Sequence, residues 1–382
     1  MFLGQSRHVL ALVGAILVLA GCGIGSRMPQ PRGYRTSRSL YQKDVNQLGL
    51  RPETSESSVG AHKKTNLMGS RKNSGIGIVG KTSGVTRVIT DIDDTVKSSG
   101  GKTLLGISLG GIDKQFRRGE FYPGVFQFIL ELSRHGAGSA VRNLSHAIPE
   151  TVGVLTARAK EFKFALELKP DGKLCSKFRD CGVKNGFHNW GVGSVYYGSA
   201  QEWVVSSWKG LRKFENFELM MEDHAMEKDG RRDQYVFVGD TGERDEQAGE
   251  FIATKYPRNL KAVFLHVVSM NPNPNEVKIP KDRYVGNIPI YYFRTYVGAA
   301  TKALKGGLIS VDGLQSVVDQ SLVDYALKDD KHMALPHVAD ELDRDVKAAR
   351  NLITTVRQEI LYKEMSERAD RIVSNPAKEP AM

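Results

Sequence analysis

Two aspartates stand two residues apart in the run DIDDT, residues 91–95, which directly follows an apolar, β-branched stretch. Residues two apart in an extended segment point to the same side, so Asp91 and Asp93 can face one cavity while Ile92 turns into the core. One carboxylate could then attack a phosphorus atom while the other moves a proton. The spacing therefore predicts a phosphate-handling site, with Asp91 as the nucleophile and Asp93 as the proton carrier.

A second acidic cluster, GDTGERD at residues 239–245, follows another run with the pattern of a buried strand. Carboxylate and carbonyl oxygens are the hard ligands that suit Mg²⁺. We predict a Mg²⁺ ion held by Asp91, the backbone carbonyl of Asp93 and Asp240, with Asp245 or Glu243 reaching it directly or through water. Taken alone, the same segment could be a turn followed by a helix cap.

Two further side chains could bind the oxygens of a phosphoryl group. Thr156 ends a predicted strand, and a helix is predicted to start at Ala157, so its hydroxyl could serve the phosphate or only cap the helix. Lys213 precedes a helical stripe of apolar residues, and its ammonium group could offset negative charge on the phosphate. Lys209, one turn earlier, is the rival for that role.

Short β-branched runs alternate with helical patterns, which is typical of a parallel sheet covered by helices on both faces. The predicted strands are 85–90, 151–156, 234–239, 261–269 and 288–295. Asp91, Thr156 and Asp240 all follow or end such strands, where α/β proteins usually bind ligands. Residues 96–122 and 161–208 are longer than ordinary connections and could form substrate flaps, caps or a minor packed subdomain.

The order DxDxT, strand-Thr, Lys-helix, strand-GDxxxxD resembles the four motifs of the haloacid dehalogenase superfamily. The segments VITDIDDTVKSS, FYPGVFQF, FVGDTGERDEQAGE and YVGAATKALKGGLIS are similar to the catalytic domain of phosphatidate phosphatases related to yeast actin-patch protein, and more distantly to lipins. The likeness covers roughly residues 85–315. It implies a three-layer, Rossmann-like fold with cap or insert segments. It also implies Mg²⁺-dependent hydrolysis of phosphatidate to diacylglycerol through an aspartyl-phosphate intermediate.

The chain before residue 85 has a different character from the rest. Residues 1–22 have the pattern of a signal peptide, and their end, LAGC, resembles a lipobox that would place a lipid on Cys22. The alternatives are an ordinary secretory signal and a short signal anchor. Residues 23–84 carry eleven basic and three acidic residues, which is most of the net charge of +11. We predict a disordered basic linker that attracts an anionic membrane surface. Nucleic acid is a less favoured partner, because the segment contains only two aromatic residues.

The remaining boundaries divide the chain into a catalytic domain, residues 85–325, and a helical C-terminal extension, residues 326–382. Apolar residues repeat at helical spacing from Val338 to Val373, which predicts one long amphipathic helix. Cys175 and Cys181 could form a local disulfide if the chain is exported, or remain thiols. Together these features predict an exported or membrane-associated phosphatase; the alternatives are a soluble phosphomonoester phosphatase and a catalytically silent, membrane-tethered binding module.

One motif argues for a different function, but its context does not support it. Residues 75–82, GIGIVGKT, satisfy the pattern of a nucleotide-binding loop. Such a loop must follow a strand and open a helix, so that backbone amides converge on the phosphates. Here the approach is polar and a strand is predicted to follow, so we interpret the run as part of the linker.

Overall fold

The computed structural model describes residues 86–101, 103–104, 107–108, 111–134, 148–159, 168–198, 209–226, 233–271, 277–327 and 336–374. The predicted signal peptide, the basic linker and residues 75–82 lie outside the described residues. The division into four segments therefore stays a prediction.

A seven-stranded sheet organises the described chain. Its order is β5-β4-β1-β6-β7-β9-β8, and every neighbouring pair is parallel except β8 with β9. Two two-residue strands, β2 (Thr103–Leu104) and β3 (Ile107–Ser108), pair separately as an antiparallel ribbon. The sheet strands are β1 (Thr86–Thr90), β4 (Val152–Ala159), β5 (Val192–Gly198), β6 (Gln234–Asp240), β7 (Leu260–His266), β8 (Arg283–Val285) and β9 (Ile288–Phe293).

Helices cover both faces of this sheet. Successive strand residues point to opposite sides, so each face carries apolar side chains against which helices pack. On β1, Val88 packs into one apolar cluster with Phe128, whereas Ile89 packs into another with Phe217. The predicted three-layer α/β architecture is confirmed. The helices are α1 (Val125–Arg134), α2 (Lys173–Lys184), α3 (Lys209–Met226), α4 (Asp245–Lys255), α5 (Tyr296–Lys305), α6 (Val311–Ala326) and α7 (Pro336–Ser374).

The prediction for the end of β4 was wrong. No helix begins at Ala157; the strand continues to Ala159, with Leu155 and Thr156 in register with Tyr196 and Tyr197 of β5. The sequence TARA has no strong strand preference, so pairing with β5 decides its conformation. The described part of the long 161–208 stretch is not a separate cap: it supplies helix α2 and the edge strand β5 of the sheet.

The predicted C-terminal helix is present as α7, but only its first half is covered. Val346 and Ile353 are buried against the body of the protein, whereas Ile360 and Met365 are exposed. None of the helices in the described ranges is long and apolar enough to span a membrane.

The local disulfide that the sequence left open is not formed. Cys175 and Cys181 are both free thiols on α2. Six residues of helix separate their Cα atoms by about 9 Å along the axis. A disulfide requires the two Cα atoms to be within roughly 7 Å.

Candidate active site and metal centre

The site lies where parallel strands end together at one edge of the sheet. Strands β1 and β6 run side by side, with Thr90 opposite Val238, and the backbone amide of Asp91 donates to the carbonyl of Val238 at 3.1 Å. Asp91 follows β1 directly, while Asp240 ends β6. Residues 149 positions apart in sequence are thereby brought to the same edge.

Three buried aspartates form the centre of this site. One carboxylate oxygen from each of Asp91, Asp240 and Asp245 lies within 4.8 Å of the others. The side chain of Lys213, which is fully buried on α3, donates to Asp91 at 2.8 Å and also to Asp245. The structure therefore brings together four of the predicted site residues in one cluster.

The loop after β6 is shaped by its own carboxylates. Asp240 accepts from the backbone amide of Glu243 at 3.0 Å, and its own amide donates to Asp245 at 3.1 Å. Residue 239 must be a glycine, because a Cβ atom at this position would lie 2.6 Å from the Cβ of Asp245. These contacts fix Asp240 and Asp245 with their carboxylates turned towards Asp91.

Lys209, the rival to Lys213, has a different partner. Its ammonium group donates to Glu243 at 2.7 Å, and both side chains are buried. The two lysines stand one turn apart on α3, so each reaches a different carboxylate. Lys213 is thus the lysine that contacts the aspartate cluster, whereas Lys209 holds the loop beside it.

The cluster holds more negative than positive charge. Asp91, Asp240, Asp245 and Glu243 all act on Lys213, and Lys209 is the second cation. Burial raises the pKa of Asp91 to about 8, and it also raises the pKa values of Asp240 and Asp245. Burial alone would lower the pKa of Lys213, but Asp245 and Asp91 raise it well above its ordinary value.

This charge balance fits a divalent cation. The four carboxylates exceed the two ammonium groups by two charges, and Mg²⁺ prefers oxygen ligands of this kind. A cation bound by Asp91, Asp240 and Asp245 would also favour the ionised forms of these carboxylates, because its positive charge offsets the cost of their burial. The buried aspartate group could therefore hold a metal ion.

Asp93 is placed differently from the other predicted aspartates. Both of its carboxylate oxygens accept from the guanidinium of Arg158, at 2.8 and 2.9 Å, and the ammonium of Lys97 lies at 3.9 Å. Burial alone would raise the pKa of Asp93, but the Arg158 guanidinium outweighs this effect and lowers it. Its side chain is thus an ionised carboxylate beside the cluster rather than one of the clustered group.

Thr156 lies on the strand that carries this arginine. It is buried two residues beyond Val154, which pairs with Thr90, so it lies at the same edge of the sheet as Asp91. Its hydroxyl accepts from the backbone amide of Arg158 at 3.2 Å. The register between β4 and β5 shifts after Thr156, so this hydrogen bond, rather than regular strand alternation, links Thr156 to Arg158.

Two residues of the site were missed by sequence reasoning. Arg158 lies beyond the predicted end of β4, in a run without a strand pattern, so the sequence offered no signal for it. Asp94 adopts a left-handed conformation with φ of 60°, and its carboxylate accepts from the backbone amides of Ser99 at 2.7 Å and Asp113 at 2.8 Å. Aspartate tolerates this conformation better than most residues, which was the available signal.

Comparison with known proteins adds no relative: no protein-family model, curated protein or solved structure matches the chain. The sheet order and the buried aspartate group are compatible with a haloacid dehalogenase-like fold.

Proposed function

We propose that the protein is a Mg²⁺-dependent phosphatase that hydrolyses a phosphomonoester through an aspartyl-phosphate intermediate. The observation that carries this proposal is the convergence of Asp91, Asp240 and Asp245 around the buried ammonium of Lys213. The motifs that resemble the haloacid dehalogenase superfamily supply exactly these residues, in the same order along the chain, which supports a shared chemistry.

In the first step, a carboxylate oxygen of Asp91 attacks the phosphorus atom and the ester P–O bond breaks. Asp93 gives its proton to the departing oxygen, and Lys213 and the hydroxyl of Thr156 bind phosphoryl oxygens. Bound Mg²⁺ supplies compensation for the negative charge of the phosphoryl group and of the surrounding aspartates.

In the second step, Asp93 accepts a proton from water as that water attacks the phosphorus atom. The Asp91–phosphorus bond breaks, the carboxylate is regenerated and inorganic phosphate leaves. The ion pair between Asp93 and Arg158 favours the ionised carboxylate, which suits this second step. The first step requires that Asp93 carry a proton when the ester is bound.

Phosphatidate is the substrate that the motif resemblance favours, with diacylglycerol as the product. The predicted signal peptide, the lipobox-like Cys22 and the basic linker would place the enzyme at an anionic membrane surface. A soluble phosphomonoester is the alternative substrate.

The test is phosphate release by the purified full-length protein from phosphatidate and from a panel of soluble phosphomonoesters, with Mg²⁺ and with a chelator. We expect Mg²⁺-dependent release that Asp91→Asn abolishes. Asp180→Asn, at an exposed position on α2, is the matched control and should keep full activity. A wild-type protein that releases phosphate from no substrate would contradict the proposal and leave the silent binding module as the better reading.

A further inference from the structure

A second group of charged residues, of opposite sign, lies beside the aspartate cluster. The segment 111–122 packs against the loop that follows Asp93. The amide of Ser98 donates to the carbonyl of Glu120 at 2.8 Å, and the amide of Gly119 donates to the carbonyl of Ser98 at 2.8 Å. This segment carries Lys114, Arg117 and Arg118, all with exposed side chains.

The segment is fixed to the catalytic loop rather than loosely attached. The carboxylate of Asp94 accepts from the amides of both Ser99 and Asp113, so it joins the two stretches of chain directly beside Asp93. Gly100, with φ of 69°, lies so close that a Cβ atom there would be 2.8 Å from the Cβ of Arg118. The backbone that carries these cations is therefore held at a set position relative to the site.

Several of these cations converge on one carboxylate. Lys97 and Arg158 both lie beside Asp93. Arg118, on the segment 111–122, adds a further positive charge near Lys97. Two cations thus meet at Asp93 and a third lies near them, an arrangement that favours the approach of a further anion.

The exposed members of the group have no carboxylate of their own. Among the residues that the structure describes, none forms an ion pair with Lys114, Arg117 or Arg118. Fixed, unpaired cations at the mouth of a site attract and orient anions. We call the set of Lys97, Lys114, Arg117, Arg118 and Arg158 the cationic rim.

We propose that the cationic rim binds a second negatively charged group next to the scissile phosphate, on the leaving-group side. The side follows from Asp93, which the proposed function places at the departing oxygen and which contacts both Lys97 and Arg158. The inference rests on that function. The second anion comes either from the substrate itself or from neighbouring anionic lipid headgroups.

Two matched substrate pairs separate these sources. The first pair is 2-carboxyethyl phosphate and propyl phosphate, which differ by a terminal carboxylate. The second pair is phosphatidate in vesicles of neutral lipid and in vesicles that also contain phosphatidylserine. Full-length wild-type protein should favour the more anionic member of at least one pair by about fivefold in kcat/KM, which corresponds to one exposed ion pair at the upper end of the usual range. The basic linker alone could favour anionic vesicles, so the source is identified by the pair whose preference the arginine variant described next loses.

The variant Arg117→Gln/Arg118→Gln should lose this preference while keeping its activity on propyl phosphate. Arg258→Gln is the matched control, because Arg258 is exposed and lies before β7, at the opposite edge of the sheet. Binding of 2-carboxyethyl phosphate and of propyl phosphate to Asp91→Asn protein, measured by calorimetry, provides a second readout that needs no turnover.

The outcomes distinguish this inference from the proposed function. If the wild-type protein releases phosphate neither from these esters nor from any ester of the soluble panel, the proposed function fails. If it hydrolyses them without any preference in either pair, or if the arginine variant keeps the preference, the cationic rim does not bind the second anion although the phosphatase assignment stands.

Discussion

The site has two halves of opposite charge: an acid-rich half around Lys213 and a cation-rich half around Asp93. Around Lys213, buried carboxylates outnumber ammonium groups, so this half could hold a metal ion. Around Asp93, the cations Lys97 and Arg158 contact one carboxylate, and we propose that a bound anion completes this half. An enzyme that binds a metal ion and a phosphate ester together needs a negatively charged group for the metal beside a positively charged group for the phosphate.

Removal of the buried ammonium should produce the largest effect. Lys213→Met leaves the carboxylates of Asp91 and Asp245 without their shared cation in a fully buried position. Breaking such a pair costs about 3–5 kcal/mol. We expect a loss of this size in the free energy of unfolding, measured with urea in the presence of a chelator. Arg158→Gln should cost much less; equal losses for the two variants would erase the distinction between the halves.

Mg²⁺ should stabilise the folded protein through the aspartates of the acid-rich half. A ligand that binds the folded state alone at a hundred times its dissociation constant adds roughly 2.7 kcal/mol. We expect Mg²⁺ to raise the midpoint of thermal unfolding of the wild-type protein and to have little effect on Asp240→Asn. Asp93→Asn should keep most of the shift, since only its backbone carbonyl is a proposed ligand. A shift that survives Asp240→Asn would place the ion elsewhere.

The pH dependence of stability should also follow the acid-rich half. The pKa of Asp91 is raised from 3.8 to about 8 in the folded protein. A raised carboxyl pKa stabilises the fold at low pH, and this contribution is lost as the pH rises from about 4 towards 8. In chelator, the free energy of unfolding should therefore fall over this range, by up to ~1.4 kcal/mol per pH unit for one proton. Asp91→Asn should flatten the slope, and Mg²⁺ should do the same for the wild-type protein.

The sequence could predict one half of the site better than the other. Asp91, Asp240 and Asp245 follow or end predicted strands, where α/β proteins usually bind ligands, whereas the sequence could not choose between Lys213 and Lys209. The edge strand β5 was missed because its sequence, VGSVYYG, contains two glycines and lies inside an apparent insert. Without β5, the continuation of β4 to Arg158 could not be foreseen.

The cation-rich half depends on contacts between segments, which sequence patterns do not report. In the sequence, Lys114, Arg117 and Arg118 are ordinary surface charges. Their place beside Asp93 depends on the hydrogen bond from the amide of Asp113 to Asp94. No local period or spacing encodes that contact, since 19 residues separate its partners. Long-range hydrogen bonds of this kind decide where a loop lies but leave little trace in composition.

The smallest expected effect on stability comes from the ion pair between Arg158 and Asp93. Arg158→Gln removes a bidentate ion pair whose side chains are each 15% exposed, and Asp93 retains Lys97 at 3.9 Å. We expect the free energy of unfolding to fall by only about 1 kcal/mol, because water can reach the freed carboxylate. Arg158→Lys should recover part of this loss, since a lysine keeps the charge but cannot bind both oxygens in the same planar geometry. Urea unfolding of both variants at neutral pH measures the difference, and a loss as large as that of Lys213→Met would mean that Asp93 is as deeply isolated from solvent as the aspartate cluster.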